Sequence, residues 1–139
     1  MTNVLTTTFR LAKDAGACQE SYRKFAKHKG SVRKWGEDKP FSLLEVLEVC
    51  GIDDTLWTLR CCTESDKARR LSQIFACDCA EHVVHIYEKY YPTDTRPRHC
   101  IEVIRKYIAG EVTPEEGDAA RDAARDAARA AERAAAGAA

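Results

Sequence analysis

The sequence predicts an all-α protein, a compact array of about six helices that includes an alanine-rich C-terminal helix. Three observations support this prediction. Apolar residues recur at spacings of three and four along most of the 139-residue chain. Ser, Thr or Asp stands where several of these segments begin, and Gly or Pro stands near their ends. No segment has the alternation and the β-branched content that are typical of strands.

The first predicted helix has an apolar stripe that runs from Leu11 to Ala26, and Gly30 is placed to end it. An irregular connector follows, with the sequence "SVRKWGEDKP". The next helix begins in "FSLLEV", where Ser42 can cap the helix and Glu45 can complete a capping box. Phe41 and Val46 occupy the two hydrophobic positions that accompany such a box.

Gly51 stands where a helix commonly ends in the left-handed conformation. Asp53 can then cap a short helix from Thr55 to Cys62. A long helix is predicted from about Lys67 to Tyr91, and Pro92 halts it.

The turn "TDTRP" starts another helix, which Gly110 ends. "TPEE" then opens the repetitive segment "DAARDAARDAARAAERAAAGAA". Alanine is the best helix former, and each Asp can pair with an Arg three residues later. We therefore expect a helical globular domain over residues 1–112 and an alanine-rich helix over 113–139 that packs on it or projects from it.

The long helix has an apolar arc and a polar stripe on opposite sides when residues are placed 100° apart. We expect the apolar arc to face the core; it carries Phe75, Cys79, Val83, Ile86 and Tyr90 and is widened by Ala76, Cys77, Ala80, Val84, Tyr87 and Tyr91. Asp78, His82, His85 and Lys89 share the polar stripe. Asp78, His82 and His85 are a weak candidate for a metal site, because no fourth ligand and no HExxH motif accompany them. A solvated polar face is the preferred interpretation, and we expect no metal and no cofactor.

Composition excludes several classes of function. The 22 Lys and Arg balance the 22 Asp and Glu, so no global charge directs the chain to nucleic acid or to membranes. No uncharged run approaches the ~20 residues that span a bilayer, and the N-terminus lacks the features of a signal peptide. The seven cysteines lie in apolar periodic segments, which predicts reduced, buried thiols and a cytoplasmic protein. No nucleophile with a base, no phosphate loop and no dinucleotide motif is visible, so we expect no enzymatic activity.

Two groups of charged residues are candidate binding or structural sites. The first is a run of cations interleaved with aromatic residues, and it is the candidate surface for a partner: Arg23, Lys24, Lys27, Lys29, Arg33 and Lys34. The second is the turn around Pro97, where positive charge at a helix start needs a compensating anion. We expect an internal clamp there, formed by Asp94, Arg96, Arg98 and Glu102.

The segment "ACDCAEHVVHIYEKYYPTDTRPRHCIEVIRKYIAGE" resembles the immunity protein family of bacteria and phages, whose members carry an Arg-Pro-Arg turn between two helices and an alanine-rich helical tail. The matching residues are Ala80, Glu81, Glu88, Pro92, Asp94, Arg96, Pro97, Arg98, Ile101, Glu102, Arg105 and Gly110. Upstream, "AGACQES" and "DDTLWTLRC" look like the front half of related phage-borne proteins. After Thr113 the sequence departs from the family pattern.

The resemblance implies a non-enzymatic inhibitor that neutralises a toxin by direct binding. The phage-borne relatives imply an alternative, an anti-CRISPR-like inhibitor of a host defence complex. A third interpretation, from the residues themselves, is a nucleic-acid-binding module that uses the basic run at 23–34. We expect a protein partner rather than nucleic acid, with the oligomeric state left open.

Overall fold

A computed structural model describes residues 4–137 and confirms the all-α class, with eight α-helices in this range instead of about six. The helices are α1 Phe9–Asp14, α2 Gln19–His28, α3 Val32–Trp35, α4 Leu43–Cys50, α5 Ile52–Thr58, α6 Ser65–Tyr90, α7 Arg96–Ile108 and α8 Pro114–Gly137. A 3-10 turn, Leu59–Cys61, follows α5. Two two-residue strands, β1 Thr6–Thr7 and β2 Phe41–Ser42, pair antiparallel with Thr6 opposite Ser42.

The single helix predicted up to Gly30 is instead α1 and α2. Gly16, with φ +83°, lies between them in a conformation that side-chain-bearing residues rarely adopt. The connector after Gly30 contains the short helix α3, which Ser31 caps by accepting a hydrogen bond from the Lys34 N–H. Periodicity alone did not reveal either feature, because the apolar stripe continues in phase across the break at Gly16.

Ser42 caps α4 as predicted, and its hydroxyl accepts a hydrogen bond from the Leu44 N–H at 3.0 Å. The second half of the capping box was predicted wrongly, because the Glu45 carboxylate bonds to the Lys29 ammonium instead. Phe41 and Val46 are both buried in one hydrophobic cluster. Asp53 does not cap the next helix, since α5 already begins at Ile52, after Gly51.

The chain divides into two compact units, Met1–Leu71 and Ser72–Ala139. The core of the first unit contains an aromatic cluster of Phe9, Phe25 and Phe41 with Val46. A second cluster in this unit joins Leu5, Leu43, Cys62 and Ala68. Glu64 connects the segment before α6 to β1, because its carboxylate accepts hydrogen bonds from the N–H and the hydroxyl of Thr6.

The second unit contains most of α6, together with α7 and α8. The alanine-rich helix packs within this unit: the Tyr91 hydroxyl donates to the Ala131 carbonyl at 3.4 Å, and the Tyr87 hydroxyl lies 3.4 Å from the Ala127 carbonyl. Ala127 is fully buried. The domain boundary predicted at residue 112 stays a prediction, and Ala138 and Ala139 of the predicted tail lie outside the described residues. Within residues 4–137, no helix has the length and apolarity needed to cross a bilayer.

Candidate interaction surfaces

Only one half of the predicted apolar arc of α6 faces the core. Cys77 and Val84 are buried against Ile101 and Ile104 of α7, and Ala80 packs on the same cluster. The other half was predicted wrongly, because it is solvent-exposed: Phe75 by 48%, Val83 by 50%, Ile86 by 52% and Tyr90 by 70%, with Cys79 exposed as well. We call Phe75, Cys79, Val83, Ile86 and Tyr90 the α6 apolar stripe.

The physical reason is the width of the apolar arc on α6. At 100° per residue, Phe75 and Cys77 mark the two edges of the arc, which is about 200° wide. A helix that packs one face on a core needs an apolar stripe of only about 100°. α7 and α8 cover the side that carries Cys77, Val84 and Tyr87. The sequence contained the signal for this surface, an unusually wide apolar arc, but not the information about which half is covered.

The polar stripe of α6 takes part in ion pairs. Arg105 of α7 donates to Asp78 at 2.9 Å and to Glu81 at 2.5 Å, and these carboxylates raise the pKa of the Arg105 guanidinium. His82 and His85 are exposed. Within the described range, no group of three or more His, Cys, Asp or Glu could hold a metal ion. The helix therefore does not assemble Asp78, His82 and His85 into the weak candidate site, because Asp78 turns to Arg105.

At the Arg-Pro-Arg turn, each arginine pairs with a carboxylate. Arg96 forms a fork with Asp94, with Nε–Oδ1 2.8 Å and Nη2–Oδ2 2.7 Å. Asp94 also accepts from the Tyr87 hydroxyl at 2.8 Å, so it joins the turn to α6. The bond from Arg96, with the smaller contribution of Tyr87, holds the pKa of Asp94 well below its usual range. Both guanidinium groups remain partly exposed.

Arg98 forms the second fork with Glu88 of α6, where Nη2–Oε2 is 2.8 Å and Nε also donates to Oε1. Glu102, the partner expected for Arg98, forms no hydrogen bond or ion pair within residues 4–137. Glu88 takes the place of this partner, because it presents both carboxylate oxygens from the neighbouring helix, and Glu102 contributes only by raising the pKa of Arg98 through its charge. The two forks attach the start of α7 to α6 and to the preceding turn.

The basic run splits into one internal cation and five surface cations. Lys29 has a side chain only 9% exposed; its ammonium pairs with Glu45 and lies 3.9 Å from the centre of the Trp35 ring. The other five are exposed and form no ion pair with any described residue: Arg23, Lys24, Lys27, Arg33 and Lys34. Tyr22 and Phe25 pack into the core, so this surface offers positive charge but little aromatic stacking area.

The seven cysteines are all free thiols. Cys61, Cys62 and Cys77 are buried, and burial raises the pKa of Cys62 to about 11. Cys50 and Cys100 are half-buried. The prediction that the thiols are buried is wrong for Cys18 and Cys79, which are exposed. Cys18 precedes α2 at its first turn, and Cys79 lies on the α6 apolar stripe.

Comparison with known proteins places most of these features in one family. A family model described as Imm-5 like putative immunity protein matches residues 62–139, more than half of the chain. The matched segment contains α6, the two arginine forks, α7 and the alanine-rich helix. No curated protein and no solved structure matches the chain. On the basis of the match to residues 62–139, the chain belongs to the Imm-5 like putative immunity protein family.

Proposed function

We propose that this protein is a non-enzymatic inhibitor that neutralises a toxin in the cytoplasm by binding it directly. The family description supports an immunity role, and the observation that carries the binding mode is the α6 apolar stripe. This stripe lies entirely within the segment that the family model matches.

The stripe has the properties of an interface core. From Phe75 to Tyr90 it extends over about 22 Å of helix, at 1.5 Å per residue. It combines two aromatic and two aliphatic side chains, and exposed polar residues such as His82, His85 and Lys89 flank it. An amphipathic helix with such a stripe can dock into an apolar groove of its partner. We propose that the α6 apolar stripe inserts into such a groove on the toxin.

The surface cations of the basic run are the second candidate contact. They would attract an acidic patch on a partner and accelerate association at low salt. The same cations could contact nucleic acid, but the core position of Tyr22 and Phe25 favours a protein partner. An inhibitor of a host defence complex would use the same surfaces on another protein.

The test is to co-express the chain with the toxin encoded beside its gene. We expect growth to be restored and a stable complex to be recovered by size-exclusion chromatography. Ile86→Asp should weaken the complex by roughly 30-fold or more, as the loss of an interface hot spot does. Lys24→Glu with Lys27→Glu should chiefly slow association and reduce its salt dependence.

Each variant set controls for the other, because Ile86 and Lys24 are both exposed and belong to different units. If soluble, folded protein fails to restore growth against every toxin encoded beside the gene, toxin neutralisation is rejected. If both sets bind as the parent does, the proposed contact surfaces are wrong. A defence-complex inhibitor would instead protect an invading phage, and nucleic-acid binding would fall steeply with salt.

A further inference from the structure

The first unit contains an open cavity of about 270 Å³ that lies outside the segment matched by the family. This volume is near the lower end of the range for small-molecule pockets, about 300 Å³. Its walls come from β1, β2 and helices α1, α2, α4 and α5, together with the residues between α1 and α2. The deep side is rigid, since Phe9, Phe25, Phe41 and Val46 are buried core residues.

The aromatic walls are arranged as a connected cluster. Phe9 is in contact with Tyr22 edge to face at 5.4 Å between ring centres, and with Phe41 at 5.0 Å. Phe25 and Phe41 lie 4.5 Å apart. Trp57 of α5 completes the aromatic lining. Aromatic faces carry negative charge density, so such a wall accepts both apolar groups and cations.

Two carboxylates give this cavity a negative charge. Asp53 and Asp54 both line it, and neither forms an ion pair or a hydrogen bond through its side chain with any described residue. Among the described residues that line the cavity there is no Lys, Arg or His. Four cations lie near wall residues: Arg60 stacks on the Trp57 ring at 4.9 Å, Lys24 influences the Cys50 thiol, and Lys13 and Arg23 border a neighbouring depression that shares Ala17 and Tyr22.

Two hydroxyls of the cavity wall are engaged within the protein. The Thr7 hydroxyl donates to the Cys61 carbonyl at 2.6 Å, and the Thr58 hydroxyl donates to the Asp54 carbonyl at 2.6 Å. The cavity therefore offers an apolar aromatic interior and two carboxylates that form no ion pair with any described residue. We propose that it binds a small organic cation with an aromatic or aliphatic body, of the arylalkylammonium class, with the ammonium group beside Asp53 and Asp54.

The test uses three ligands of similar shape and different charge: phenethylammonium, phenethyl alcohol and hydrocinnamate. Isothermal titration calorimetry should give the tightest binding for phenethylammonium, by roughly tenfold over the alcohol, with hydrocinnamate the weakest. Asp53→Asn with Asp54→Asn should remove the preference for the cation and leave binding of the alcohol unchanged. Glu115→Gln, at an exposed carboxylate in the second unit, is the matched control and should change neither.

A second readout needs no variant. Cys18 lines the cavity and is exposed, whereas Cys79 is an exposed thiol in the other unit. Saturating phenethylammonium should slow alkylation of Cys18 several-fold and leave the alkylation of Cys79 unchanged. The proposal is overturned if none of the three ligands binds at millimolar concentration, or if the alcohol or the anion binds as tightly as the cation. Equal protection of both thiols would also reject binding in this cavity.

Discussion

At the residue scale, Cys18 and Cys79 share exposure but not surroundings. The backbone N–H groups of Ser21 and then Glu20, in the first turn of α2, lower the pKa of the Cys18 thiol. The thiolate is the reactive form, so a lower pKa increases its fraction near neutral pH. Burial has the opposite effect on Cys61 and Cys62, whose pKa values are raised.

We therefore expect a brief pulse of iodoacetamide to modify Cys18 first, then Cys79, and to leave Cys61, Cys62 and Cys77 unmodified until the protein unfolds. Mass spectrometry of the digested protein gives the order of modification. Modification of Cys77 as fast as that of Cys18 in the folded protein would contradict the burial of the α6–α7 contact.

The ionisation of Asp94 contributes to the folding stability of the second unit. Its folded pKa is depressed, so its contribution is present above the unfolded value of about 3.9 and is lost as pH falls through the folded value. Asp94→Asn should lower the urea midpoint at neutral pH, because the fork with Arg96 is lost. The difference from the parent protein should shrink when the same measurement is made in acid, below about pH 3.

Asp118→Asn is the matched control, since Asp118 makes an exposed pair with Arg121 three residues later. Such pairs contribute little, and its urea midpoint should stay close to that of the parent protein at both pH values. If the effect of Asp94→Asn persisted undiminished in acid, the carboxylate charge would not be the source of its stabilisation.

At the element scale, two adjacent valines of α6 separate the buried face from the exposed face. Val84 is 5% exposed and packs with the α7 cluster, whereas Val83 is 50% exposed. Val84→Ala should reduce the free energy of unfolding by about 1.5–3 kcal/mol, through lost burial and a residual cavity. Val83→Ala should change it by no more than about 0.5 kcal/mol, because alanine also has the higher helix propensity.

Chemical denaturation of the two variants measures both values. A large loss for Val83→Ala together with a small loss for Val84→Ala would show that the opposite half of the apolar arc packs against the core. The outcome also bears on function, since a stabilising role for Val83 would remove it from the proposed interface.

The start of α4 offers a separate measurement of capping. Ser42→Ala removes the acceptor of the Leu44 N–H and should cost about 1 kcal/mol. Glu45→Ala should also destabilise the protein, but through the loss of the partner of the largely buried Lys29 ammonium. Combining Glu45→Ala with Lys29→Met separates the two causes. The double variant should recover part of the loss if the unpaired ammonium is responsible.

The sequence predicts those features of an element that depend on residues nearby in the chain. Caps at Ser42, the stop at Gly51 and the limits of α6 depend on residues within one turn, and they were predicted within a few positions. The orientation of α6 and the pairing of Arg98 with Glu88 depend on where α7 lies, which no local pattern encodes. The cavity of the first unit was equally invisible, because its lining residues come from distant parts of the chain.

At the scale of the whole molecule, a net charge of zero conceals two oppositely charged units. Met1–Leu71 carries 13 Lys and Arg against 10 Asp and Glu, and Ser72–Ala139 carries 9 against 12. With a sequence pI near 6.9, the molecule has little net repulsion to keep copies apart at neutral pH. Opposite patches on different molecules then attract each other wherever salt does not screen them.

We therefore expect weak self-association at neutral pH that increases as salt is removed. The Debye length grows from about 8 Å at 0.15 M to about 30 Å at 0.01 M salt, which extends the attraction between molecules. Static light scattering should give a more negative second virial coefficient at the lower salt concentration.

Lys24→Glu with Lys27→Glu changes the net charge from zero to −4, since each substitution removes one positive charge and adds one negative charge. This variant should show a more positive coefficient at low salt, because net repulsion then dominates. Self-association that strengthened with added salt would instead indicate contacts through exposed apolar surface such as the α6 apolar stripe.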